Sequence, residues 1–224
     1  MRLYDVTQDL SHLEFATYLL SERGQKRPDQ DDKTYYVWEA ETRRKELVTG
    51  GNMDSYRDVW YHQAHLPLHE QEVILGHSVR AFYLTTAAAD LGGDFLVDAK
   101  RLWTDAVDKK MYATGGFGTE PRWEGFSEVP HFLPQSTDEG GCYVETCASI
   151  AAMMTSERIL SHGLEGRVRD VMELCLMNVA LGGGSLDGRK FSYVNKQASY
   201  GDEQVRYDWF NSESGSNSSA LAVC

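Results

Sequence analysis

This chain is short of several things, and each shortage excludes a class of function. Basic residues are outnumbered, 22 Lys and Arg against 34 Asp and Glu, giving a formal charge of -12. An acidic surface without a basic stripe excludes phosphate-backbone binding, so nucleic acid is not an expected partner. No run approaches the eighteen or so apolar residues of a membrane span. The opening MRLYDVTQDLSHLEF has no apolar core followed by a small-residue cleavage site, so the reading is a soluble chain with no visible export signal and the cytoplasm as its default location. Only four cysteines occur in 224 residues, at 142, 147, 175 and 224, too sparse for the framework of a small secreted domain. Reduced thiols are expected.

What is present is enough apolar residue, 42%, to bury a large core. Apolar spacing of three and four predicts helices over 70–91, 94–111, 143–161 and 165–181, the last stopped by the triple glycine 182–184. One or two further helical segments lie between Leu3 and Leu19 and end near Gly24. The polar stretches around Tyr35 to Trp38, up to about Arg57, read as loops, and 190–195 (KFSYVN) reads as a short strand. The fold class is therefore mainly α, with long loops and a short strand near the C-terminus. The segment 112–141, rich in Gly, Pro and aromatics, is too long for a plain connection and is expected to be functional. Residues 211–224 (NSESGSNSSALAVC) form a divergent tail of flexible composition, leaving 1–210 as the folded part.

The chemistry concentrates in GCYVETCAS, 141–149, where Glu145 stands two residues before Cys147. In mid-helix such positions point about 200° apart. At a helix start both can reach one ion, and the free N–H groups there would lower a thiol pKa. Zinc accepts thiolate and carboxylate oxygen, usually four donors in all. The plainer reading, a Cys147 packed among alanines, stands beside it. Cys142 and Cys175 read as packing residues. His77, in GHSVR, is either a hydrogen-bonded core histidine or a polar group aimed into a pocket. His62, His65 and His69 read as exposed loop histidines, because Pro67 interrupts any regular helix. Glu173 has the position of a solvent-facing helix acid. Glu124, flanked by aromatics in WEGF, is a candidate general acid whose pKa such neighbours would raise.

Taken together and in this order, GHSVR, YATGGFG, WEGF, LPQSTDEGGCYVETCAS and GGGSLDGRKFSYVN resemble the glycoside hydrolase family 127 β-L-arabinofuranosidases over most of residues 1–210. The resemblance implies a partial (α/α)6 barrel and a retaining mechanism in which a zinc-bound cysteine attacks the anomeric carbon. It implies Glu124 as general acid/base, Glu145 and Cys147 as zinc ligands, and His77, Glu173 and Tyr193 as sugar contacts. The family's chain continues to a Cys-Cys pair that supplies the nucleophile and completes the zinc site; here the corresponding region reads NSESGSNSSALAVC, leaving Cys224 as the tentative further ligand. The expected partner is an arabinofuranose-containing glycan. With the zinc site incomplete and part of the toroid absent, the expectation is an inactive chain with exposed apolar helix faces prone to self-association. The alternatives are a non-catalytic carbohydrate-binding pseudoenzyme and an α/α-toroid interaction scaffold.

Overall fold

The computed structural model describes residues 2–44, 59–118, 120, 124–134, 143–195 and 197. The predictions for Cys142, Cys224 and the 211–224 tail lie outside those residues.

Seven α-helices follow one another: α1 (Arg2–Thr7), α2 (Leu10–Glu22), α3 (Tyr35–Glu39), α4 (Ser78–Leu91), α5 (Gly93–Lys110), α6 (Thr146–Leu160) and α7 (Gly166–Leu174). Wider π-type turns extend α3 over Ala40–Arg44 and α7 over Cys175–Leu181. Two minimal antiparallel pairs interrupt the helices. The pair β1 (Lys26–Arg27) and β2 (Lys33–Thr34) joins Lys26 to Thr34, and the pair β3 (Gly76–His77) and β4 (Gly125–Phe126) joins Gly76 to Phe126 and His77 to Gly125. The architecture is mainly helical, as read from the sequence. No described helix is long and apolar enough to cross a membrane.

The core lies between α4, α5 and α6. Buried alanines on all three (Ala81, Ala88, Ala99, Ala106, Ala148 and Ala152) let the helices approach closely. Phe82 of α4 meets Phe117 and Phe126 edge-on, at centroid separations of 5.0 and 5.6 Å, and so ties the helical layer to the segments that carry the candidate site. Polar groups inside this core are paired. Trp103 donates to Ser156 Oγ at 3.0 Å, and Thr155 Oγ1 donates to the Phe82 carbonyl at 3.0 Å. The Lys110 ammonium donates to the Ser127 carbonyl at 2.6 Å beneath the Phe126 ring, fastening the stretch after β4 to α5.

Two local expectations are corrected. The helix predicted over 70–91 begins only at Ser78, because Gly76 takes φ +81 and a Cβ there would stand 2.3 Å from the Trp60 carbonyl oxygen. His77 then caps α4, its Nδ1 accepting from Arg80 N at 3.5 Å. Residues 35–39, between the two polar stretches read as loops, form a short helix with Thr34 as N-cap. The predicted strand 190–195 is reduced to isolated bridges, Gly184 with Phe191 and Glu145 with Val194. Its alternating residues have only single partners to pair with. On the outside, Leu3, Val6, Leu10, Phe15 and Leu19 of α1 and α2 stay more than half exposed.

Candidate active site

The segment before α6 is held from both sides. Glu145 N donates to the Phe117 carbonyl at 3.2 Å, Asn195 N donates to the Val144 carbonyl at 2.7 Å, and Thr146 N donates to the Tyr193 carbonyl at 2.9 Å. Such close approach needs glycine in GGFG. At Gly118, φ is +101 and a Cβ would lie 2.9 Å from the Tyr143 carbonyl oxygen. The motif therefore seats Tyr143, Glu145 and Tyr193 side by side.

Glu145 is the N-cap residue of α6, yet its side chain makes no capping bond. Its carboxyl instead faces Ser78, whose Oγ lies 2.8 Å from Oε1, and Tyr193, whose hydroxyl lies 3.2 Å from Oε2. Glu124 enters from the turn before β4 with φ 55, a left-handed conformation uncommon for a glutamate. Its carbonyl accepts from Ser78 N at 3.0 Å and faces Ser78 Oγ at 2.9 Å, which pins that turn to the start of α4. The Glu124 carboxylate accepts from Tyr193 at 2.6 Å and from Tyr143 at 3.2 Å, both on Oε1, while Oε2 lies 3.2 Å from His77 Nε2. Because His77 Nδ1 accepts the capping bond, Nε2 is the nitrogen that donates to Glu124. The Cys147 thiol lies 3.7 Å from the Tyr193 hydroxyl and beside Glu145.

The electrostatics divide the two carboxyls. Burial pushes Glu145 up to about 7, against the lowering influence of the Ser78 hydrogen bond, so near neutrality it is half protonated. Burial also raises Glu124, but the hydrogen bonds from His77, Tyr193 and Tyr143 outweigh it and hold its pKa below the usual value. The aromatic flank was expected to raise it; in the fold Tyr143 and Tyr193 act as donors, which reverses the sign. Cys147 also departs from expectation. Burial and then the neighbouring Glu145 charge push its thiol up to about 12, overriding the helix start that was expected to lower it. Tyr143 and Tyr193 are both raised, by burial first and by the adjacent Glu145 charge next.

Of the residues singled out by sequence, His77, Glu124, Glu145, Cys147 and Tyr193 converge here. Glu173 sits exposed on α7, outside this hydrogen-bonded group. Cys175 is buried, its thiol 3.2 Å from the Gly115 carbonyl, which agrees with its packing role. Ser78 and Tyr143 were not anticipated, although each adjoins a quoted motif residue. Of the three loop histidines only His69 is exposed; His62 touches Arg80, and His65 stacks on Trp60 at 3.9 Å.

Comparison with known proteins gives the family. The model of the β-L-arabinofuranosidase GH127 catalytic domain matches residues 1–218. The chain belongs to glycoside hydrolase family 127. A non-reducing end β-L-arabinofuranosidase of Bifidobacterium longum subsp. longum is 34% identical over 203 residues, covering 87% of this chain and 28% of the relative. The crystal structure of a family 127 β-L-arabinofuranosidase from Geobacillus stearothermophilus T6 superposes with a TM-score of 0.74 at 36% identity, over 87% of this chain and 29% of that one. A family 127 β-arabinofuranosidase gives a TM-score of 0.69 at 30% identity, over 91% and 27%. This family 127 chain thus spans less than a third of the length of the relatives it matches.

Proposed function

We propose that this chain carries the acid/base carboxyl and two metal ligands of a retaining β-L-arabinofuranosidase acting on arabinofuranose-containing glycans. The observation that carries the reading is the seating of Glu124, Glu145 and Cys147 around one hydroxyl, that of Tyr193.

The donor chemistry fits zinc. Burial raises both the Cys147 thiol and the Glu145 carboxyl, so without a cation both favour their protonated forms, and a dication would favour the anions of both as ligands. Glu145 and Cys147 would hold the metal, with Cys224 the tentative third donor of this chain. No cluster of three or more ligating side chains occurs among the described residues. When bound, zinc keeps a cysteine sulfur deprotonated and nucleophilic near neutral pH.

The remaining roles fall to the protein. Glu124 donates a proton to the departing glycosidic oxygen and later takes one from the attacking water. Burial opposes the hydrogen bonds that hold the Glu124 pKa low in the free chain, and a sugar that excluded further solvent and took over those donors would favour the protonated acid. His77 and Tyr193 bond the Glu124 carboxylate and would meet sugar hydroxyls in this reading. Glu173, also implied as a sugar contact, would have to reach the substrate from the exposed side of α7.

The test is metal content and turnover of a chromogenic β-L-arabinofuranoside, for the wild type, Cys147→Ser and Glu124→Gln. The proposal expects zinc to bind the wild type and be lost in Cys147→Ser, with Glu124→Gln keeping the metal. Zinc retained by Cys147→Ser would remove the ligand assignment. Turnover shown by the wild type and kept in Glu124→Gln would remove the acid/base.

A further inference from the structure

Ser78 and Glu145 are both fully buried, and they stand 67 residues apart in the chain. A buried carboxylate is costly unless donors reach its oxygens. As the N-cap residue of α6, Glu145 has a helix start beside it, the usual source of such donors, yet its side chain makes no capping bond. It turns instead to the first residue of α4, where Ser78 Oγ lies 2.8 Å from Oε1.

The Ser78 hydroxyl has one proton and two acceptors near it, Oε1 of Glu145 and the Glu124 carbonyl at 2.9 Å. That carbonyl already accepts from the Ser78 backbone N–H at 3.0 Å, so the hydroxyl proton can serve an ionised Glu145. The second oxygen, Oε2, and the Cys147 sulfur lie against one group, the Tyr193 hydroxyl, at 3.2 and 3.7 Å. Tyr193 commits its own proton to Glu124 at 2.6 Å. Oε1 is thereby held by Ser78, and Oε2 faces the side on which Cys147 stands. Ser78 itself has little freedom, because the β3–β4 pair and the bond to the Glu124 carbonyl fix its backbone.

We propose that Ser78 is a positioning residue for the metal ligands: its hydroxyl holds Oε1 of Glu145 so that the carboxyl offers Oε2, alongside the Cys147 sulfur, to the ion. The inference rests on the zinc reading of Glu145 and Cys147. Carboxylates that ligate a metal are themselves hydrogen-bonded, and the donor decides how they are turned. Serine suits this task because its hydroxyl sits on Cβ, where the backbone sets its place. Alanine at 78 would keep α4 and the backbone bond to Glu124 but leave the Glu145 carboxyl able to rotate toward the α6 start that it caps.

The experiment measures the zinc affinity of the full chain by competition with a chromogenic chelator, and the visible spectrum of its cobalt(II) form. The proteins compared are the wild type, Ser78→Ala, Cys147→Ser and Ser156→Ala. Ser156 is an equally buried serine on α6 that bonds Trp103 and the Ala152 carbonyl, so its variant controls for the loss of a buried hydroxyl away from the site. Ser78→Ala is expected to bind zinc about 10–100-fold more weakly than the wild type and to shift the cobalt bands. Ser156→Ala should keep the wild-type affinity and spectrum. Unchanged affinity and spectrum in Ser78→Ala, with binding still lost in Cys147→Ser, overturn the positioning role and leave the ligand reading standing. An equal loss in Ser156→Ala also overturns it, because destabilisation would then be the cause. A wild type that binds no zinc, or a Cys147→Ser variant that keeps it, removes the ligand reading and this inference with it.

Discussion

The hydroxyl of Tyr193 lies 2.6 Å from Oε1 of Glu124, the shortest of the three bonds that reach that carboxylate. One proton cannot serve both this bond and the 3.2 Å approach to Glu145, and Glu145, pushed up to about 7 by burial, is the carboxyl of the two that takes a proton more readily. Two chemically identical groups are thereby given different charges by position. Tyr193→Phe is expected to lower stability at pH 7 by about 1–3 kcal/mol, the range for a hydrogen bond to an ionised group. It should also raise the Glu124 pKa. Urea unfolding and carboxyl-carbon NMR check both; unchanged values would mean that the bond does not form in solution.

Gly118→Ala tests the close approach beneath the site. The added Cβ would press on the Tyr143 carbonyl from a φ of +101, so a loss of about 1–3 kcal/mol is expected. The chemical shifts of Tyr143 and Glu145 should move with it. Gly163→Ala, where a Cβ meets nothing, is the control and should be neutral.

His65 makes stability depend on acid. Burial depresses its imidazole to about 4, whereas in the unfolded chain it titrates near 6.5. Between those values the unfolded state binds more protons, so stability falls as pH drops from 6.5 towards 4. Replacing His65 with Gln should flatten this part of the profile by about 1–3 kcal/mol relative to the wild type. Parallel unfolding curves at pH 4.5 and 7 decide it, since the carboxylates common to both proteins cancel.

The exposed apolar side chains of α1 and α2 should drive association. Phe15 is 62% and Leu10 59% exposed, on a chain whose net charge only partly opposes contact. Light scattering is expected to show mass rising with concentration, and a Leu10→Ser, Phe15→Ser double variant to stay closer to monomeric. A wild type that remains monomeric at every concentration would refute this.

The sequence determined a good deal by itself. The three- and four-residue spacing located α5, α6 and α7 to within a few residues, because amphipathic helices advertise their buried face. The order of short motifs pointed to the family, and that resemblance, rather than the Glu-x-Cys spacing, singled out Glu145 and Cys147 as ligands and Glu124 as the acid/base. Tertiary structure decided the rest. Where α4 begins depended on Gly76, at φ +81, passing so close to the Trp60 carbonyl that no Cβ would fit, which no local pattern encodes. The pKa of Glu124 went down instead of up because His77, Tyr193 and Tyr143, all distant in sequence, point hydrogen-bond donors at it, and orientation is not written in a residue's identity. The thiol of Cys147 went up because burial beside Glu145 exceeds the pull of the helix start. Ser78 and Glu145, 67 positions apart in the chain, become neighbours only when the start of α4 meets the start of α6. Spacing along the chain specifies helices; charge balance at the site is set by contacts between segments far apart in sequence.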